Sequence, residues 1–128
     1  MNEVKAMTDE NERCFTIDNS LKRYDSAVRH LCRCRPIRTD QITSYMKLHR
    51  VYVSVIEELC TVSPVSEVKE TLQAAAYLQA EILVSRENHE EAGYLYHRVG
   101  LYNLAVDSFK QCGLWKNCLS IASFVHMR

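Results

Sequence analysis

One short phrase recurs along the chain and constrains the fold more than any other feature. A large ring is followed by a compact residue at +3 and by apolar residues at +4 and +7. It opens at Tyr24 (Ala27, Val28, Leu31), Tyr52 (Val55, Ile56, Leu59), Tyr102 (Ala105, Val106, Phe109) and Trp115 (Cys118, Leu119, Ala122). A weaker copy opens at His89, with Ala92, Gly93 and Tyr96. Positions 0, +3, +4 and +7 share one face of an α-helix, so each phrase is an apolar stripe shaped to fit the groove of a neighbouring helix. The phrase is a packing unit before it is a chemical one.

Phrases that bury a single face against their neighbours point to an α-solenoid of helical hairpins. The last three starts are 13 residues apart, about one helix and a turn, and the earlier ones are wider. A tetratricopeptide array repeats at about 34 residues. The expected fold is therefore all-α: a right-handed stack of irregular tetratricopeptide-like hairpins, read as one segment over 1–128. Three glycines and two prolines in 128 residues suit helices and not a loop-rich fold.

Helix signals give the boundaries. The spacing predicts helices over Glu3–Leu21, Tyr24–Cys34, Thr39–His49, Tyr52–Val62, Pro64–Arg86, Glu90–Val99 and Asn103–Cys112, with Lys116–His126 closing the chain. Ser63-Pro64 reads as an N-cap followed by a first-turn proline, before the longest helix. Gly100 and Gly113 stand where a helix ends in the left-handed conformation. Gly93 lies inside a helical pattern, where a missing side chain allows a neighbour to approach. Tyr24, Ala27, Tyr52, Gly93, Tyr102, Ala105, Phe109 and Trp115 are thus the expected packing residues. Truncating Trp115 to Ala is expected to unfold the C-terminal helix pair. In the last helix, Leu119, Ile121, Phe124 and Val125 are expected to leave apolar surface exposed, with further helices following in a parent protein.

The polar N-terminal stretch "MNEVKAMTDENERC" lacks the apolar core of a signal peptide, and no apolar run approaches the roughly 18 residues that span a bilayer. The expectation is a soluble intracellular chain without a membrane partner. Its six cysteines are then expected to be reduced and mostly to act as small buried apolar groups. His30-x-Cys32-x-Cys34 invites a zinc reading, but residues two apart on a helix diverge, and Cys112-x5-Cys118 has no zinc spacing. No nucleophile elbow, P-loop or His-Glu-x-x-His occurs. The reading is of a non-enzyme with no catalytic residues, no metal and no cofactor.

Formal charge is zero, yet it is unevenly spread. From Leu21 to Arg50 eight basic residues face two acidic ones, and from Val51 to Gly93 two basic face eight acidic. These blocks suit three uses: mutual attraction within the stack, a contact with an acidic partner surface, or a contact with RNA phosphates. Arg29, Arg33, Arg35 and Arg38 are the candidate contact surface. No aromatics interleave with them to stack bases, which weighs against direct RNA binding.

Two longer segments carry a resemblance. "FTIDNSLKRYDSAVRHLCRC" (Phe15–Cys34) resembles an "IDxxLKRYxxALxHL" segment of the Elongator complex scaffold subunit family, known as IKAP. "EEAGYLYHRVGLYNLAVDSFKQCGLWKNCLSIA" (Glu90–Ala122) is similar to a later segment of the family, and "HRVYVSVIEEL" matches its "LYxxALxLY" helix more loosely. Cys34-Arg35-Pro36 departs from the Cys-Gly usual there. The resemblance implies a scaffold segment, flanked in the family by β-propellers and by a dimerisation region that this stretch does not contain. The implied partners are other Elongator subunits, which modify wobble uridine in transfer RNA, with this segment touching transfer RNA indirectly or weakly. The implied location is the cytoplasm, with the nucleus as a second site. Two other classes fit the residues: a helical-repeat adaptor of the vesicle-coat kind, and an RNA-binding helical repeat using the basic Leu21–Arg50 block.

Overall fold

A computed structural model describes the backbone over residues 2–62 and 65–126 and the side chains over 9–61 and 66–123. The described residues form eight helices and no strand: α1 (Asn2–Ser20), α2 (Tyr24–Arg33), α3 (Thr39–His49), α4 (Tyr52–Val62), α5 (Val65–Ser85), α6 (His89–Arg98), α7 (Tyr102–Gln111) and α8 (Trp115–His126). Each expected helix is present, and α5 is the longest. The proposed cap at Ser63-Pro64 lies outside the described residues.

Five of the eight helices begin through the same turn. Lys22, Arg50, Glu87, Gly100 and Gly113 take positive φ, at 60°, 56°, 60°, 83° and 74°. The helices that follow start two residues later, at Tyr24, Tyr52, His89, Tyr102 and Trp115. These are the five starts of the repeated phrase. Between them stands one residue that serves both helices. The amides of Arg23, Val51, Asn88, Leu101 and Leu114 donate back to carbonyls five residues earlier, at 2.8, 3.3, 2.8, 2.9 and 2.9 Å. That bond closes the preceding helix in the manner of a Schellman motif. The carbonyls of the same residues accept from the amides of Ala27, Val55, Ala92, Ala105 and Cys118, at 2.9, 3.3, 3.2, 3.0 and 3.3 Å, which opens the next helix. At Arg23, Asn88 and Leu101 no side chain caps the helix; the backbone alone makes the corner. A repeat unit is therefore a left-handed residue, a shared corner residue and a helix whose stripe starts at once.

The contacts group the chain into two compact units, Met1–Ala75 and Ala76–Arg128. In the first, α1 and α2 form a hairpin, α2 lies along α4, and α3 touches both. The phrases at Tyr24 and Tyr52 supply its core. Ala27, Val28, Leu31, Val55, Ile56 and Leu59 are all buried. Tyr24 packs with its ring stacked on His49 of α3 at 3.8 Å. Tyr45 of α3 continues the aromatic set to Phe15 of α1, with centroids 5.2 Å apart.

In the second unit α6 and α7 form a hairpin and α8 packs on α7. Ala80, Ala92, Tyr96, Ala105, Phe109, Cys118 and Ile121 make its core, with Tyr102 half-buried against it. Gly93 has the role expected of it. A Cβ there would stand 2.6 Å from Cε1 of Phe109, so the missing side chain is the space the ring occupies.

Two expectations fail in α8. Trp115, expected to pack, is 60% exposed, and Ile121, expected at the surface, is buried; Leu119 is 68% exposed, as expected. The reason is that Cys118 and Ile121, three residues apart, supply the buried line of this helix. Residues 115 and 119 then lie to its side. The expected exposure of Phe124 and Val125 concerns side chains outside the described residues.

A thermal or denaturant series separates these roles. Gly93→Ala should lose about 1–3 kcal/mol, because the fully buried Phe109 has nowhere to move, and adding Phe109→Leu should recover part of it. Gly113→Ala meets nothing within 4 Å, so it should cost only the left-handed backbone penalty, about 1–2 kcal/mol. Trp115→Ala should cost less than about 1 kcal/mol instead of the large loss a buried tryptophan gives.

Candidate interaction surface

The basic block lies on α2, on the turn after it and around α3, in the first unit. Along α2, positions 25, 29 and 33 fall one helical turn apart and form a polar line beside the apolar stripe. That line meets α4. Asp25 Oδ1 accepts from the buried Ser54 hydroxyl at 2.7 Å. Arg29 donates to Glu57 at 2.7 Å and to Glu58 at 3.3 Å. Arg33 reaches Glu58 with two nitrogens, Nε at 3.2 Å and Nη2 at 3.1 Å. Residues 25 with 54 and 29 with 58 pair at the same offset, so the two helices run parallel.

Glu58 is 7% exposed, and a carboxylate so covered must be compensated. Arg29 and Arg33 compensate it while keeping their outer faces in water. The hydrogen bond it donates to Glu57, and then that to Glu58, hold the Arg29 guanidinium above its ordinary range against the opposing effect of burial. The other two candidates are also engaged. Arg38 pairs with Glu12 of α1, and Arg35 donates to the Cys32 and Cys34 carbonyls at 3.0 and 2.9 Å. The structure thus gives Arg29, Arg33, Arg35 and Arg38 internal partners rather than an open contact face. For Arg29 and Arg33 the reason is the alternation seen in the sequence, a basic α2 beside an acidic stretch of α4.

Sequence reasoning missed the residues that remain open. Lys22, Arg23 and Arg50 make no ion pair among the described residues. They line an open cleft of about 430 Å³ with Tyr24, Asp25 and His49. Two of the three occupy left-handed turn positions; the helix boundaries located both turns, but without glycine nothing marked their left-handed backbone.

The six thiols are free. Cys32, Cys34 and Cys118 are buried, Cys14 and Cys60 half-buried, and Cys112 exposed, so half of them serve as core atoms. Among the described residues no three His, Cys, Asp or Glu side chains gather to hold a metal ion. Cys32 sits under the α2–α4 seam, where burial and then the Glu58 charge push its thiol up to about 12. Among the described residues no helix is long and apolar enough to cross a membrane.

Helical hairpins joined by backbone-only corners, with an arginine–glutamate seam between parallel helices, define a protein of the tetratricopeptide-like helical-repeat class. The model of the family described as the ELP1 TPR domain matches residues 12–127, and the chain belongs to that family. It is 31% identical to Elongator complex protein 1 of Rattus norvegicus over 127 residues, which is 99% of this chain and 9% of the relative. It is 31% identical to that of Oryctolagus cuniculus over 127 residues, again 99% of this chain and 9% of the relative. It is 32% identical to the putative Elongator complex protein 1 of Xenopus laevis over 123 residues, 96% of this chain and 10% of the relative. The chain spans about a tenth of the length of the curated relatives it matches.

Two outcomes follow from the seam. Glu58→Gln leaves half-solvated arginines and should cost about 1 kcal/mol, while the Arg29→Gln, Arg33→Gln double variant strands a covered carboxylate and should cost about 2–3 kcal/mol; urea unfolding measures both. For Cys32, the unfolded thiol ionises near its ordinary 9.0 and the folded one near 12, so folding retains a proton between these values. The contribution is complete below pH 9 and falls as pH rises toward 12. At pH 8 iodoacetamide should modify Cys112 readily and Cys32 about a thousandfold more slowly unless the chain unfolds.

Proposed function

We propose that this chain is a non-catalytic scaffold segment, and that it serves in an Elongator-type complex as the corresponding stretch of its relatives would. The single observation that carries this reading is the family match over residues 12–127, nearly the whole chain. The side-chain chemistry supports it. The buried residues of the repeated phrases make helix–helix contacts, and the charged groups of the basic block hold α1, α2 and α4 together. On this reading the segment holds other Elongator subunits in place while those subunits modify wobble uridine in transfer RNA. Its own contact with transfer RNA is indirect, because the four arginines best placed by sequence are already paired inside the first unit. The location that goes with this role is the cytoplasm, with the nucleus as a second site. One helical-repeat segment over 1–128, with the two compact units as its parts, is the proposed domain organisation.

The test is affinity capture. The tagged chain is expressed in cells of its own source and co-purifying proteins are identified by mass spectrometry. Other Elongator subunits should be enriched well above a tag-only control. A chain that is helical and melts cooperatively, yet recovers none of them, would count against the proposed role.

A further inference from the structure

Four of the eight basic residues between Leu21 and Arg50 are spent on internal partners, as described above. Of the other four, Lys22, Arg23 and Arg50 come from two separate turns and meet at one cleft. Lys22 and Arg23 belong to the corner between α1 and α2, and Arg50 to the corner between α3 and α4. The one carboxylate on the cleft, Asp25, is engaged by the Ser54 hydroxyl at 2.7 Å. Three open cations against a single occupied carboxylate make this cleft strongly electropositive in a chain of zero net charge.

Both Lys22 and Arg50 hold left-handed backbone that glycine would adopt more cheaply. In the second unit two of the three equivalent corners do carry glycine, Gly100 and Gly113. The cationic side chains are thus kept at a conformational cost, at the two corners that frame the same cleft.

We infer that this cleft docks an acidic peptide segment of a partner protein, its carboxylates pairing with Lys22, Arg23 and Arg50. The physical features favour a peptide over RNA. A nucleic-acid track needs positive charge spread along several phosphates, and the neighbouring arginines are neutralised by Glu12, Glu57 and Glu58. Base stacking needs an open ring, and the Tyr24 face is taken by His49 at 3.8 Å. Two or three adjacent carboxylates match a compact site of this volume. The inference does not rest on membership of an Elongator complex, since it concerns the purified chain and a defined probe.

The left-handed corners make the experiment clean. Lys22→Gly and Arg50→Gly remove the charges while relieving the backbone, so the double variant should melt at or above the wild-type temperature. Binding of a fluorescein-labelled peptide of eight glutamates is followed by anisotropy at 50 and 200 mM NaCl. The full-length wild-type chain should bind it in a salt-sensitive manner, and the double variant should bind at least about tenfold more weakly, the loss of about 1.4 kcal/mol of pairing. Lys110→Gln with Lys116→Gln, in the second unit, should leave binding unchanged. Three results overturn the proposal: no binding by the wild type, equal loss in the Lys110/Lys116 control, or a single-stranded RNA of matched charge binding more tightly through Lys22 and Arg50. The last would make the cleft a phosphate site instead.

Discussion

The backbone corner is the constraint on which the rest of the structure depends. One residue closes a helix with its amide and opens the next with its carbonyl, while the residue before it turns through left-handed space. At these five corners no linker separates the helices, so each phrase begins at the first residue of a new helix. Five such corners repeat with nearly the same geometry. Arg23, Asn88 and Leu101 have φ of −92°, −94° and −88° and ψ of 70°, 64° and 67°. Because the bonds are backbone to backbone, the corner tolerates Arg, Val, Asn and Leu at its shared position. This explains how a repeat can be regular in space and degenerate in sequence.

Apolar stripes alone set helices side by side but fix register weakly, since one ridge resembles the next. In the first unit polar pairs add that information. The Ser54 hydroxyl on Asp25 and the two arginines on Glu58 fix α4 along α2 at one offset, because a slip of one turn would strand a covered carboxylate. In the second unit shape does comparable work. Phe109 fits against Gly93 at a distance that no other residue at that position would permit. The two units thus reach specific packing by different means, one electrostatic and one steric.

Much of this was legible in the residues. The phrase predicted which positions of α2, α4, α6 and α7 are buried, because helical periodicity maps directly onto a face. Gly93 announced a close approach and Gly100 and Gly113 announced left-handed turns. What was not legible follows a common cause. Lys22, Arg50 and Glu87 occupy the same turn position without glycine, so no local signal marked their left-handed backbone. Trp115 opens a phrase as Tyr102 does, yet its ring is exposed, because burial depends on which side of α8 meets α7 and not on the phrase alone.

The sequence by itself determined the helices, their order and the apolar faces, since these follow from short-range periodicity and the conformational limits of single residues. It also determined that opposite charges would be available in neighbouring blocks. Only the tertiary structure decided which charges are spent and which remain. Arg29, Arg33 and Arg38 meet carboxylates from helices 25 to 29 positions away in the chain, and Lys22, Arg23 and Arg50 converge from two turns on one cleft. Pairing across such separations depends on how helices pack, and a linear pattern of charge carries no record of distance.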